Sequence, residues 1–369
     1  MNERNEYRYE LLILFIPFLS QSITNTDYSK SGPLTVEVIE FKNLYDPNRE
    51  KVVKSERFRF LKRFKNEDSS SPGRQIPIKV HVPKNAGPYP LIIISHGAGG
   101  NWDTHYAQAS HLASHGFVVL CVEHTGSNTE KMRDGIRIFQ NLKKMIHDSN
   151  EVLGRPKDIS FAINQANEWN KSDKNLSGKI DLNHIGLMGH SFGAYTTLAI
   201  AGAKPALDWI EPKVGSGTGL GPDLSDKRVN CGMALSPQGP GDPFFLRQSY
   251  ESIRIPILGI SGTKDDQQNG DPAIARYNSF KLWPEMEKKN MFLWLTNAGH
   301  LDFTDSTGGQ QHGRESSTRK DVQRIVRVAS LLYFNNCLKP SQGQETQLTQ
   351  QILDQYLNGE INKLELKKK

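Results

Sequence analysis

The 369-residue chain predicts an α/β fold with a mostly parallel, doubly wound sheet and helices on both faces. Three observations predict it. Short apolar runs recur at residues 90–94, 117–122, 185–188, 255–260 and 291–295, each the length of a buried strand. Segments with helical patterning separate most of them. One run, Ile185-Gly186-Leu187-Met188, leads through Gly189-His190-Ser191-Phe192-Gly193 straight into Ala194-Tyr195-Thr196-Thr197-Leu198-Ala199-Ile200-Ala201. That is a strand, a tight turn carrying a serine, and a helix that begins with small residues.

The elements follow in order. Residues 34–41 alternate apolar and polar and read as an edge strand, and 76–82 alternate again and read as a second edge strand paired with it. Residues 51–65 are basic, with Arg57-Phe58-Arg59-Phe60 read as an exposed strand, and 66–74 are rich in turn formers. Residues 104–114, 130–148 and 156–169 read as helices. Residues 203–229, with Trp209 and a glycine-rich run, are too long for an ordinary connection and read as a lid or pocket rim after the elbow helix. Pro237–Phe245 follows the next strand and should face the same edge, with Phe244 and Phe245 as walls of an acyl pocket. Residues 320–334 read as a closing helix. The expected organisation is therefore one domain over 34–336, with a polar tail over 337–369.

A bare G-x-S-x-G is a weak signal. It gains force from three further signals in a set order: an oxyanion loop upstream, then an acid, then a histidine. Upstream, Pro90-Leu91-Ile92-Ile93-Ile94 runs into Ser95-His96-Gly97-Ala98-Gly99-Gly100, a glycine-rich loop at a strand's carboxyl end, where open α/β sheets place ligands. The N–H groups of Ala98 and of Phe192 are the candidate oxyanion donors, and His96 reads as a brace for the loop. Downstream, residues 255–262 end in Thr263-Lys264-Asp265-Asp266; Asp265 is the first choice of acid and Asp266 the second. A further strand ends in Ala298-Gly299-His300, which makes His300 the candidate base ahead of His312 in its Gly-Gln-rich surroundings. A serine hydroxyl is inert alone, so Ser191, His300 and Asp265 are needed together.

The quoted segments Ile94–Gly100, Val122-Glu123-His124-Thr125-Gly126-Ser127-Asn128, Gly189–Gly193 and Ala234-Leu235-Ser236-Pro237-Gln238-Gly239 resemble the platelet-activating factor acetylhydrolase-like branch of the α/β-hydrolases, also labelled predicted dienelactone hydrolases. The resemblance covers roughly residues 35–336 and implies an α/β-hydrolase fold. It also implies ester or lactone hydrolysis through a serine triad, with no cofactor. The chain departs from the pattern twice. An insertion separates Asp46-Pro47-Asn48-Arg49 from Ile76-Pro77-Ile78. The eukaryotic acetylhydrolases are similar to a variant whose acid lies on the strand after the elbow. Here that strand, Met233-Ala234-Leu235-Ser236, offers no carboxylate, which favours Asp265. Dienelactone hydrolases proper carry a nucleophilic cysteine, where this chain has Ser191.

Forty-six basic against forty acidic residues give +6, a mild excess for this length, so solvated charge rather than a nucleic-acid surface is expected. The expected partner is a small-molecule or lipid ester. No His/Cys spacing suggests a metal. Three cysteines, Cys121, Cys231 and Cys337, cannot all pair, and the fold is expected to need no disulfide. The apolar run 11–19 is too short to span a bilayer and is followed by Ser20-Gln21-Ser22. Residues 1–22 therefore read as an export signal, favoured over a cytosolic apolar segment.

Overall fold

The computed structural model describes residues 26–50, 73–267, 269–287, 289–305, 317–339 and 346–369. The 1–22 signal, the Arg57–Phe60 strand and His312 all lie outside the described residues.

Along the chain the strands are β1 (Val36–Phe41), β2 (Tyr45–Asp46), β3 (Arg74–Gln75), β4 (Ile78–Pro83), β5 (Tyr89–Ser95), β6 (Val118–Val122), β7 (Ile180–His190), β8 (Val229–Leu235), β9 (Ile257–Lys264), β10 (Met291–Gly299) and β11 (Leu364–Lys368). The helices are α1 (Tyr106–Ser114), α2 (Thr129–Met132), α3 (Ile138–His147), α4 (Ser149–Val152), α5 (Arg155–Ser172), α6 (Phe192–Ile200), α7 (Ile274–Leu282), α8 (Ser317–Leu338) and α9 (Gln350–Asp354). Nine strands form one sheet in the order β1-β4-β6-β5-β7-β8-β9-β10-β11. Pairing from β6 through β10 is parallel, and β1, β4 and β11 join antiparallel at the two ends. The fold is that of an α/β-hydrolase.

The apolar runs become strands because both sheet faces are covered. One core holds Ile92, Ile94 and Met188 against Val322, Ile325 and Phe334 of α8. The opposite core sets Leu91, Ile93 and Leu187 against Ile159, Ile163 and Trp169 of α5. A third packs the elbow helix α6 on Phe244, Phe245 and Tyr250.

Four expectations are corrected. Strand β4 is not an edge: it lies between β1 and β6. Its polar positions mislead because they are buried too. Lys79 pairs with Glu40 at 3.1 Å, and the His81 Nδ1 meets the Ser110 hydroxyl at 3.0 Å. The expected helix over 130–148 breaks after α2, at a segment where Gly135 takes a φ of 75°. The polar tail is part of the sheet: β11 pairs with β10 in the register Leu293↔Leu366, and Leu353, Ile361 and Leu364 are buried. The fold also carries a disulfide, between Cys231 on β8 and Cys337 on α8. Sequence separation of 106 hid this pair, which the packing of α8 across the sheet brings together. Cys121 stays free and buried, as a small hydrophobe.

The 203–229 excursion is held down by backbone hydrogen bonds. Leu207 donates to Gly219, Ala206 donates to Phe244, and Ser149 donates to Glu211. Leu207 and Ile210 are buried in the third core.

Candidate active site

Strand β7 ends at His190, and α6 begins at Phe192, leaving Ser191 alone in the turn with φ 56° and ψ −116°. A non-glycine residue there is strained. The turn survives because its neighbours hold it. Ser191 N–H donates to Leu235 O at 2.9 Å, and its own carbonyl accepts from Tyr195 N–H and from the Gln238 side-chain amide at 2.8 Å. The flanking glycines are demanded by contact. A Cβ on Gly189 would sit 2.1 Å from Gly193 O, and one on Gly193 would sit 1.9 Å from Ser95 O. No side chain fits at either position.

The parallel order brings the carboxyl ends of β7, β9 and β10 to one rim. Ser191 Oγ lies 2.9 Å from His300 Nε2. The other ring nitrogen, Nδ1, lies 2.8 Å from Asp265 Oδ1. Asp265 is fully buried, whereas the His300 side chain keeps 24% exposure. Burial alone would raise the Asp265 carboxyl, but His300 and the Arg276 guanidinium beside it hold it below the usual range. An ionised Asp265 accepts Nδ1–H and leaves Nε2 bare, facing the serine hydroxyl. Asp266 does other work: its carboxylate accepts Ala273 N–H at 2.9 Å at the start of the next helical segment. The two adjacent acids thus meet different partners.

Besides Gln238, three supporting side chains escaped sequence reasoning. Arg276 on α7 is buried and donates from Nε to the Asp265 backbone carbonyl at 2.7 Å, with Oδ1 at 3.0 Å. Its Nη1 reaches Ser236 O at 2.9 Å, so one guanidinium ties β9 to the loop after β8. Ser261 Oγ donates to Asp265 Oδ2 at 2.8 Å. His190 Nε2 meets the backbone carbonyl of His300 at 3.0 Å, and its ring packs 4.8 Å from the His300 ring. Burial first, then the neighbouring His300 and His105, push His190 far below its ordinary value, so it is a neutral Nε2–H donor. No spacing rule flags an arginine that lies 11 residues beyond the acid and on a separate helix. The His190 and Gln238 positions were at least inside quoted motifs.

Of the other predicted residues, Phe192 follows the serine at the first position of α6, and Ala98 lies in the loop after β5, next to Gly97, where an added Cβ would come within 3.3 Å of Ser191 Cβ. Among the described residues, neither amide is spent in a turn or loop hydrogen bond. The N-terminus of α6 also presents its dipole here. Phe244 and Phe245 are corrected: they are 2% and 0% exposed and belong to the core. Phe244 stacks on Phe192 at 4.9 Å and on Tyr195 at 4.4 Å, beneath α6 rather than in an open pocket. Trp209 is half-buried in the 203–229 excursion, and no hydrogen bond or ring contact among the described residues joins it to Ser191, His300 or Asp265.

Behind the loop lies a second buried polar network. Asp158 bridges Arg74 (2.8 Å), Arg49 (2.5 Å) and His124 Nδ1 (2.8 Å). Glu151 pairs with Arg74 at 2.7 Å and accepts from Ser127 at 2.7 Å. The His124 Nε2 lies 2.9 Å from Ser95 Oγ. Burial would raise Asp158, but Arg74 and His124 outweigh it and keep the carboxylate ionised. Among the described residues, no group of three or more His, Cys, Asp or Glu could hold a metal ion.

A family model described as Chlorophyllase matches residues 50–214. A platelet-activating factor acetylhydrolase of Cavia porcellus is 26% identical over 298 residues, covering 72% of this chain and 61% of that protein. The Canis lupus familiaris platelet-activating factor acetylhydrolase is 33% identical over 59% of this chain and 49% of its own length. These similarities support assignment to the platelet-activating factor acetylhydrolase-like α/β-hydrolases. Cutinase est1 of Thermobifida alba is 26% identical over 62% of this chain and 60% of its own length. The chain thus spans between half and three-fifths of the length of these curated relatives.

Proposed function

We infer that this α/β-hydrolase is a serine carboxylic-ester hydrolase working through an acyl-enzyme. One observation carries the reading: the continuous series Ser191 Oγ, His300 Nε2, His300 Nδ1 and Asp265 Oδ1, with links of 2.9 and 2.8 Å. His300 takes the Ser191 proton as the hydroxyl attacks the ester carbonyl. Asp265 holds the ring in its Nδ1–H tautomer and stabilises the imidazolium. The Ala98 and Phe192 amides receive the oxyanion. His300 then returns the proton to the leaving alcohol, and water repeats the sequence in reverse to free the acid and Ser191. No cofactor takes part in these steps.

The named relatives frame the substrate. They are called acetylhydrolases and cutinases, and the family model is named for chlorophyllase, so the proposed class is carboxylic esters with a lipid or lipid-like portion. Small lactones remain within reach of the same chemistry. Export is also proposed, and the Cys231–Cys337 bond supports it, since such bonds persist in oxidising compartments. Among the described residues, no helix is long and apolar enough to cross a membrane.

The test is a fluorophosphonate probe with and without Ser191→Ala. Labelling of one serine, lost in the variant together with ester hydrolysis, is expected. Labelling and turnover that survive the substitution would refute the reading by placing the nucleophile elsewhere, whereas a wild-type protein that neither labels nor hydrolyses an ester would favour a binding module instead.

A further inference from the structure

The loop after β5 is gripped from behind in a way that sets which direction its amides face. His96 is 2% exposed, and its Nε2 accepts His124 N–H at 3.0 Å. That nitrogen is therefore bare, and the ring proton sits on Nδ1. Nδ1 lies 2.7 Å from Gly97 O, so it donates there; the same carbonyl also accepts Gly100 N–H at 3.1 Å. One residue back, the carbonyl of His96 accepts from Arg155 Nη2. Arg155 is fully buried, and its guanidinium also covers the Phe192 ring at 4.3 Å.

Each of these carbonyls shares a peptide unit with the next residue's N–H. Neither the His96–Gly97 nor the Gly97–Ala98 bond is among the cis bonds, so both are trans. In a trans peptide the N–H is directed opposite to the C=O. Drawing the His96 and Gly97 carbonyls back toward Arg155 and the His96 ring turns the Gly97 and Ala98 amides the other way. Gly97 itself stands against the nucleophile: a Cβ there would lie 3.3 Å from Ser191 Cβ. We propose that His96 and Arg155 are positioning residues of the oxyanion hole, which they assemble by pinning the carbonyls of its own peptide units. The proposal rests on the ester-hydrolase reading. Burial and the Arg155 guanidinium 3.5 Å from Nδ1 keep the His96 ring neutral, as this arrangement requires.

Asparagine and glutamine divide the two jobs of the ring. His96→Asn keeps a donor near the Nδ1 position. His96→Gln keeps an acceptor for His124 N–H near the Nε2 position and loses the donor to Gly97 O. Turnover of a soluble p-nitrophenyl ester and inhibition by a trifluoromethyl ketone, which binds as a tetrahedral adduct, are the readouts. H96Q is expected to lower kcat about ten- to hundredfold, less than outright loss of a donor because Gly100 still holds the carbonyl. KM should hold within about threefold, with ketone affinity falling in step with kcat, because the interaction is made mainly in the transition state. H96N should retain kcat within about fivefold, the donor being preserved. Equal losses in the two variants, a folded H96N that loses about a hundredfold, or an H96Q with unchanged kcat and ketone affinity would each overturn the proposal. Ser191→Ala serves as the control: turnover that survives it would bring down the Ser191 assignment on which this proposal rests, whereas a dead S191A beside an unaffected H96Q would bring down this inference alone.

Discussion

Replacing Asp265 by asparagine removes a charge while keeping the shape of the carboxylate, and the surroundings decide how the amide settles. The Oδ1 position faces two donors, His300 Nδ1 at 2.8 Å and Arg276 Nε at 3.0 Å. The Oδ2 position faces Ser261 Oγ, which can turn to accept. The amide introduced by Asp265→Asn would repel both donors if its nitrogen took the first site, so its oxygen goes there. The Nδ1–H tautomer of His300 is then preserved, and only the stabilisation of the imidazolium is lost. For unit charges about 4 Å apart at an effective dielectric near 20 that stabilisation is about 4 kcal/mol. Such a loss is about a thousandfold in rate. This is smaller than the roughly 10⁴ that accompanies a wrong tautomer. Steady-state hydrolysis of a soluble p-nitrophenyl ester at pH 8 measures it. Asp266→Asn is the control, expected to stay within about threefold, since its carboxylate accepts Ala273 N–H, away from the His300 ring. A loss below tenfold for Asp265→Asn, or a larger loss for Asp266→Asn, would refute the reasoning.

Ser191→Gly should abolish ester turnover yet raise stability by about 1 kcal/mol in urea titration, because φ 56° and ψ −116° strain a serine and not a glycine; an unchanged or lowered midpoint would contradict the strain. Cys337→Ser should lower stability by about 2–4 kcal/mol, since the lost bond closes a long loop, and reduction of the wild type should reproduce the shift; a Tm indifferent to both would count against the bond. Acidification should destabilise the protein well above the carboxylate range. Burial brings His81, His105 and His124 down to about 4 and His111 to about 3, so these rings stay neutral in the fold while the unfolded chain protonates near 6.5. Stability is full above about 6.5 and falls as pH drops from there toward 4. Asp305, pushed up by burial to about 6, takes up a proton in the fold and offsets one ring. His96 and His190, held far below the ordinary value by burial, add to these rings, so a net uptake of four to five protons on unfolding makes the slope about 5–7 kcal/mol per pH unit. Urea midpoints at pH 7, 6 and 5 test it, and a flat profile would sink it.

Much of the site could be read from local pattern because the parts that carry it sit at strand ends. A strand that stops at Ser191, at Asp265 or at His300 announces itself by an apolar run and a glycine, and parallel pairing brings those ends to one rim. What stayed hidden was long-range or double-sided. Arg276 meets Asp265 only because α7 folds back over β9. Cys231 meets Cys337 only because α8 crosses the sheet. Alternation in β4 suggested a wet face, yet Lys79 and His81 find partners inside. Phe244 and Phe245 looked like pocket walls because their strand end faces the rim; their chain then turns under α6, where Phe244 stacks on Phe192 and Phe245 packs at a tilt against Tyr195. The tail after 345 carries too much charge to look like sheet, but an outermost strand needs only one dry face, here Leu364.

The network behind the loop contains a near-duplicate of the Ser191, His300 and Asp265 trio. Ser95, His124 and Asp158 repeat its residue types and its spacings, 2.9 Å then 2.8 Å. Every member is sealed from water, and Ser95 belongs to a regular strand rather than a contorted corner. A template search that scores atoms alone would return this protein twice. An electrophile diffusing in from outside would find a single address, and the difference lies wholly in which hydroxyl has a door.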